Sequence, residues 1–405
     1  MMRVLMIAIE NGRWGPARLP QSLTEAGFEV AVMCPPDNPI AYSSFVKKTF
    51  EVIELKSWRK FGRMLQRAMN DWKPDLIMPC DEPIVAMLHH LIRKGSNVLS
   101  PLDRNNLKVL IGSIGTTDHL NSMLFKYNTR KTAESLGIDV PRSAFVTSAE
   151  DAVTQANFFG YPIYLKKSFS WAGQGVIDCA NDQEVDAAYH KLDDSQPQWR
   201  KFARKLLGRD WYPIETPIEV QSTARGVSVM YNVVAWHGKM LGGFLGSREQ
   251  EVGKNGPSTI VKLSSNSACE ASVRKMVAAL GATGLYSFDF MWCKEAEKAY
   301  LLECNPRPNQ VNHLGKSIGI DICGLLAAAM AGEQAIENLD CITETFPLFP
   351  QEWFRSEESA LNVLQSLDVP QKDSGLLNFL LAEGKKRGRN VELLHAGLKQ
   401  KLEAI

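Results

Sequence analysis

Residues 284–313 limit what this chain can fold into more tightly than any other stretch. Tyr286, Phe288, Phe290 and Trp292 alternate with Ser287, Asp289 and Met291, the period-two pattern of a half-buried strand. The polar run 294–298 turns the chain, and residues 299–305 read as the returning strand. With the turn centred on Ala296, Asp289 lies opposite Glu303, and partners across a hairpin project from the same face. Asn305, two residues beyond Glu303, joins them there, while Cys304 points away and reads as structural. Two carboxylates crowded beside an amide oxygen repel unless a cation lies between them, and an all-oxygen set suits Mg²⁺. Solvated surface acids would explain the charge. They would not explain Asp289 between Phe288 and Phe290, or Asn-Pro-Arg-Pro closing an apolar strand.

At 405 residues the chain has room for two or three packed units. A formal net charge of +1 gives no general electrostatic case for nucleic acid or a membrane as partner. Its eight cysteines are scattered without a C-x-x-C pair, as expected of free thiols in a reducing cytoplasm. The apolar run 4–9 is strand-sized and does not read as a signal peptide, and no stretch reaches the length of a membrane span.

Before residue 105, strands at 4–9, 30–34, 50–55 and 75–78 alternate with helices at 17–26, 58–72 and 83–94. This alternation predicts a parallel sheet covered on both faces. Ligands of such sheets bind at the carboxyl ends of the strands, which places Glu10, Asn11, Arg13, Asp81 and Glu82 at one edge. Solvated loops account for each of these equally well. The loop after the first strand lacks G-x-G-x-x-G, which argues against a dinucleotide site.

Residues 120–136 read as one helix closed by Gly137. A strand at 163–165 ends in Lys166 and leads into a loop holding Gly173 and Gly175, where backbone amides and a lysine charge suit polyphosphate. Residues 182–192 form a further helix; 196–212, rich in Lys, Arg and Trp, is assigned to no element. Antiparallel strands are expected at 217–221, 227–236, 240–245 and 259–262, with a hairpin turn at His237-Gly238-Lys239. The polar segment 247–258, carrying Arg248, reads as a loop between strands. Helices at 268–280 and 318–331 flank the metal hairpin. The tail reads as an aromatic extended segment at 346–354 and helices at 358–367, 373–383 and 391–404.

The acid on one strand, E-x-N-P-R (303–307) on the next, and a lysine before a glycine-rich loop together resemble the ATP-grasp superfamily, in its carboxylate–amine ligase form. The resemblance covers residues 1–335, with specific motifs between Lys126 and Arg307. It implies an α/β and α+β architecture: an ATP-grasp fold with a preceding Rossmann-like parallel-sheet domain and a short helical C-terminal tail. The implied divisions are 1–105, a lid lobe at 106–215, a catalytic lobe at 216–335 and an extension at 336–405.

By position, the resemblance assigns Asp289, Glu303 and Asn305 to Mg²⁺ (or Mn²⁺) bridging the phosphates of ATP, and Arg307 to the transferred phosphoryl group. Lys126 and Lys166 would reach the nucleotide phosphates beneath a mobile loop holding Gly173 and Gly175. Gln221 falls at the adenine hinge, and Glu219 is the candidate ribose contact. The acid that often follows the hinge glycine is missing, since Val227 and Ser228 follow Gly226. Lys167 stands where proline is common, and Phe169 and Trp171 are bulky for the loop. Arg248 is a candidate for stabilising phosphoryl charge or a solvated tip; His313 is a substrate contact or a packed histidine.

The implied activity is ADP-forming activation of a small-molecule carboxylate as an acyl phosphate for attack by an amine. An ATP-grasp kinase and a non-catalytic ATP-binding regulator are the alternatives. A homodimer is compatible with these bounds.

Overall fold

The computed structural model describes all residues except 13, 53–54, 96–100, 116–117, 170–174, 213–215, 254–255, 334–339, 365 and 404–405. The first unit is a parallel sheet of β1 (Met2–Ile7), β2 (Phe28–Cys34), β3 (Val46–Glu51) and β4 (Leu76–Pro79), in the order β3-β2-β1-β4. Val4, Met6, Val30 and Val32 enter one core while Leu5, Ile7, Ala31 and Met33 enter another, so both faces are covered. Helices α1 (Trp14–Glu25), α2 (Trp58–Trp72), α3 (Glu82–Lys94) and α4 (Arg104–Ile114) do the covering. In α2 the buried residues Trp58, Phe61, Leu65, Ala68, Met69 and Trp72 recur on one helical face, with polar residues between them. The third strand lies four residues before its expected place. Val-Lys-Lys-Thr-Phe-Glu reads as polar because β3 is an edge strand with every second residue exposed.

The expected helix at 120–136 is two helices, α5 (Leu120–Leu124) and α6 (Lys126–Ser135). Phe125 between them is extended, and the amide of Lys126 donates to the carbonyl of Ser168 at 2.8 Å instead of continuing the first helix. Four antiparallel strands follow, β5 (Ser143–Val146), β6 (Ile163–Lys167), β7 (Val176–Cys179) and β8 (Ile218–Ser222), in the order β5-β8-β6-β7. With α7 (Ala149–Phe159) and α8 (Asp182–Leu192) they enclose a small core of their own. Residues 196–212 contain α9 (Gln198–Leu206), none of whose residues is buried.

The largest sheet has six strands: β9 (Val227–Trp236), β10 (Lys239–Glu251), β11 (Ser258–Ser264), β12 (Gly284–Cys293), β13 (Lys298–Asn305) and β14 (Glu344–Pro347). Their order is β13-β12-β9-β10-β11-β14. His237 and Gly238 both take positive φ, as the two-residue turn between β9 and β10 requires. Residues 247–251 are strand rather than loop, because Ser247, Arg248, Gln250 and Glu251 pair with β11 despite their polarity. One face of the sheet is covered by α10 (Ser267–Leu280), the other by α11 (Ile322–Met330).

Packing redraws the expected divisions in three places. Leu110 and Ile114 of α4 belong to the first core, which continues past residue 105. Met123 of α5 and Ala133 of α6 sit in the core of the large sheet, so the helix carrying Lys126 packs on that sheet. The tail supplies β14 to the large sheet, then α12 (Gln351–Arg355), α13 (Glu357–Asn362), α14 (Ser374–Lys386) and α15 (Val391–Glu403). Phe346, Trp353 and Leu380 share a core with α1, β1 and β10, which welds tail, first unit and large sheet together.

Candidate active site

The site is assembled on the β12–β13 hairpin. Cys293 pairs with Lys298 and Phe290 with Leu301, a register one residue tighter than a turn centred on Ala296 would give. A bulge at Leu302 then inserts one residue, and beyond it Asp289 faces Glu303 and Ser287 faces Asn305. The extra residue also shifts the phase of β13. Ala299, Leu301 and Cys304 point into the core with Phe288 and Phe290, while Glu303 and Asn305 share the opposite face with Asp289. The side-chain amide of Asn305 lies 3.4 Å from Asp289 Oδ2.

Cations from other elements meet this face. Lys126 Nζ is 2.8 Å from Glu303 Oε2. Lys166, at the end of β6, donates to Gln221 Oε1 across the lid sheet. Arg130, one helical turn after Lys126, pairs with the fully buried Glu219 and donates to the carbonyl of Leu302 at 3.0 Å. Arg248 on β10 pairs with Glu251 at 3.5 Å, and its charge reaches Asp289.

Arg307 is set by the turn after β13. Its amide donates to the carbonyl of Asn305 at 2.8 Å, and Asn309 anchors the turn on Asn232 in β9. Its guanidinium pairs with Glu82, the first residue of α3. Gly15 allows α1 to press against the same turn, since a Cβ there would stand 2.3 Å from Gln310 Cα. Asp81 is spent on structure: it caps α3 through the amide of Ile84 and accepts from the amides of Ile9 and Glu10. Asn11 is held by Asp37 at 2.6 Å. Glu10 and Glu82 are thereby fixed at the sheet edge, within electrostatic reach of Tyr212.

The protonation pattern follows from burial and neighbours. Burial, then the charge of Glu303, pushes the Asp289 carboxyl well above the usual range. Burial would raise Glu303 too, but the Lys126 ammonium beside it brings it below the usual range. Burial, then Arg130 and Lys126, lowers Lys166 to about 7. Oδ1 of Asp289, Nε of Arg307 and Nε2 of Gln221 are buried with no hydrogen-bond partner among the described residues. An acceptor lacking a donor beside donors lacking acceptors is what a cation–polyanion pair would complete.

Of the residues singled out from sequence, the structure brings Asp289, Glu303, Asn305 and Lys126 into one cluster, with Lys166 and Gln221 at its lid side and Arg307 at its first-unit side. Glu219 is not available to a ribose, because it is fully buried against Arg130. Gly175 has φ +76°, and the amide of Lys167 donates to its carbonyl at 2.8 Å; Gly173 and Arg13 lie outside the described residues. His313 is buried against Asp368 at 2.7 Å and is a packed histidine. Cys304 is buried, with its thiol pushed well up by burial. Sequence reasoning missed Arg130, Glu82 in its pairing role, and Asn309. Arg130 had a signal, since a residue four beyond Lys126 shares its helix face.

Residues 126–336, just over half of the chain, match the model of a family described as carbamoyl-phosphate synthase L chain, ATP binding domain. The chain belongs to this ATP-grasp family. It is 27% identical over 180 residues to acetyl-CoA carboxylase 2 of Oryza sativa, covering 44% of this chain and 7% of that one. It is 26% identical over 218 residues to the arginine-specific carbamoyl phosphate synthase large chain of Geobacillus stearothermophilus, covering 53% and 20%. The chain thus spans a fifth or less of these relatives. Among solved structures, carboxyaminoimidazole ribonucleotide synthase of Aspergillus clavatus complexed with ATP superposes with a TM-score of 0.64 at 12% identity, covering 98% of this chain and 99% of that one. Biotin carboxylase of Campylobacter jejuni gives 0.61 at 16%, covering 84% and 74%. These likenesses establish the ATP-grasp fold for all three sheets.

Proposed function

We propose that this protein is an ADP-forming ligase that activates a small-molecule carboxylate as an acyl phosphate and passes it to an amine. The observation carrying this reading is the convergence of Asp289, Glu303 and Asn305 on one hairpin face, with Lys126 and Lys166 on one side and Arg307 on the other. The donor set fits Mg²⁺: all oxygen, with Asp289 pushed up by burial and by the charge of Glu303, a repulsion that a cation between the two would relieve, and with Asp289 Oδ1 unpartnered among the described residues. Bound there, the ion would neutralise charge on the ATP phosphates.

The chain's own residues do the rest. Lys126 and Lys166 hold the polyphosphate. Arg307 steadies the transferred phosphoryl group, and Arg248 can swing from Glu251 toward the same charge. A carboxylate oxygen of the substrate attacks the γ-phosphorus in line, breaking its bond to the bridging oxygen and releasing ADP. The amine then attacks the acyl carbon, and phosphate leaves with the original carboxylate oxygen. Glu10, Glu82 and Tyr212 edge the space for these substrates between the first unit and the large sheet. The working divisions are a first unit to about residue 115, a lid from about 143 to 215, and a catalytic lobe that includes α5, α6 and β14.

Screening carboxylates and amines for ADP release finds the substrates, and ¹⁸O in the carboxylate then tests the chemistry. Labelled inorganic phosphate is the expected product. Label in AMP, with release of pyrophosphate, would mean adenylation; a stable phosphorylated product would mean a kinase.

A further inference from the structure

Helix α9 is amphipathic, yet its apolar side is turned outward. Trp199, Phe202, Leu206 and Leu207 are 67%, 64%, 64% and 55% exposed. At 100° per residue these four fall on one arc, with Arg200, Lys201, Arg204 and Lys205 on the other. The helix is fastened to the body at its C-terminal end and by residues 208–211. The amide of Trp58 donates to the carbonyl of Gly208 at 2.9 Å, and Arg59 to that of Leu206 at 3.1 Å. Trp58 Nε1 reaches Asp210 at 3.1 Å, and Trp211 Nε1 the carbonyl of Lys56 at 3.3 Å.

That attachment joins α9 to the start of α2, and the charge of the two segments is one-sided. Residues 196–209 hold five Lys and Arg with no Asp or Glu, and residues 56–70 hold another five with none. Lys56, Arg59, Lys60, Arg63 and Arg67 are all exposed. A chain of net charge +1 thus carries ten cations in two stretches, one holding an exposed aromatic helix and the other joined to it at Lys56, Trp58 and Arg59. The sequence-wide balance that argued against a membrane averages this patch away.

We infer that α9 and the adjoining end of α2 bind the surface of an anionic lipid bilayer, the apolar arc entering the headgroup boundary and the cations facing phosphates. The shape selects this occupant. The apolar side chains stand out from a convex helix, which a fluid interface accommodates without a complementary groove, and basic residues flank Trp and Phe as in helices that lie in that interface. Nucleic acid would match the charge but leave Leu206 and Leu207 in water. The attachment lies on the surface, since no single described helix is long and apolar enough to cross a membrane.

Flotation of the full chain with vesicles of phosphatidylcholine, alone or mixed with phosphatidylglycerol, tests this. The chain should float with the mixed vesicles only, and less so at high salt. Phe202→Glu should weaken binding about tenfold or more, and Arg200→Glu or Lys205→Glu about fivefold or more each. All three should leave thermal melting and ATP turnover unchanged, because these side chains are exposed. Absence of flotation would overturn the proposal, as would equal binding to neutral vesicles or flotation undiminished in Phe202→Glu. A dimer in light scattering that Phe202→Glu dissolves, with no flotation, would instead make this face a contact between copies of the chain.

Discussion

Arg18, His313 and Asp368 form one buried cluster of charge, and Asp289, Glu303, Lys126 and Lys166 form another. Both lie where distant parts of the chain meet, and they are finished differently. In the first, Arg18 donates to both oxygens of Asp368 at 2.7 and 2.9 Å, and His313 Nε2 lies 2.7 Å from the same carboxylate. Burial would raise Asp368, but Arg18 brings it below its usual range; burial lowers His313, leaving it neutral. One cation and one anion balance. In the second cluster a carboxyl is held protonated and a lysine is lowered to about 7. Buried charge closed on itself fastens parts together, whereas buried charge left incomplete is ready for something from outside.

The sharpest test of this contrast removes an anion from each cluster. Asp368→Ala leaves Arg18 buried without its partner and should cost about 3–5 kcal/mol of stability, read as a lower urea midpoint. Turnover by the folded fraction should stay near wild type. Glu303→Gln should do the reverse, lowering turnover by ~10²-fold or more with melting little changed. If both substitutions unfold the protein alike, or if Glu303→Gln turns over normally, the distinction fails.

Proton counting sharpens it further. ATP phosphates beside Lys166 favour its charged form and raise its pKa from about 7. Below pH 7 the lysine is already charged and binding takes up no proton there. Above it, Mg²⁺-free ATP should bind with proton uptake and weaken by up to about tenfold per pH unit. Calorimetry in two buffers of different ionisation heat measures the uptake, and Lys166→Arg, charged throughout, should abolish it. The smallest effect is expected at Arg248, part-exposed and paired with Glu251. Arg248→Ala should lower turnover about fivefold or less; a far larger loss would place it firmly on the reacting phosphoryl group.

The sequence carried the fold class because the β/α alternation before residue 105 and the antiparallel pattern after 217 both follow from burial periodicity. It also carried the cluster on the hairpin, where an acid between two phenylalanines has no cheap structural explanation. What it hid depends on distant neighbours. Arg248 looked like loop because Ser-Arg-Glu-Gln-Glu is polar; only pairing with β11 makes it strand. Arg130 finds Glu219 across 89 residues, so neither announces the other. Phe125 breaks a continuous helical pattern because Ser168, far along the chain, takes the Lys126 amide.

Leu302 has a consequence beyond placing Glu303. Remove that single codon, and Phe290 can still face Leu301 and Asp289 can still face Glu303, because the extra residue belongs to neither pair. What disappears is the carbonyl that Arg130 grips at 3.0 Å. The acid pair and the helix carrying Lys126 are therefore separable by a deletion of one residue. Such a variant would keep its two carboxylates in register while loosening Arg130, and with it the helix that carries Lys126, against them.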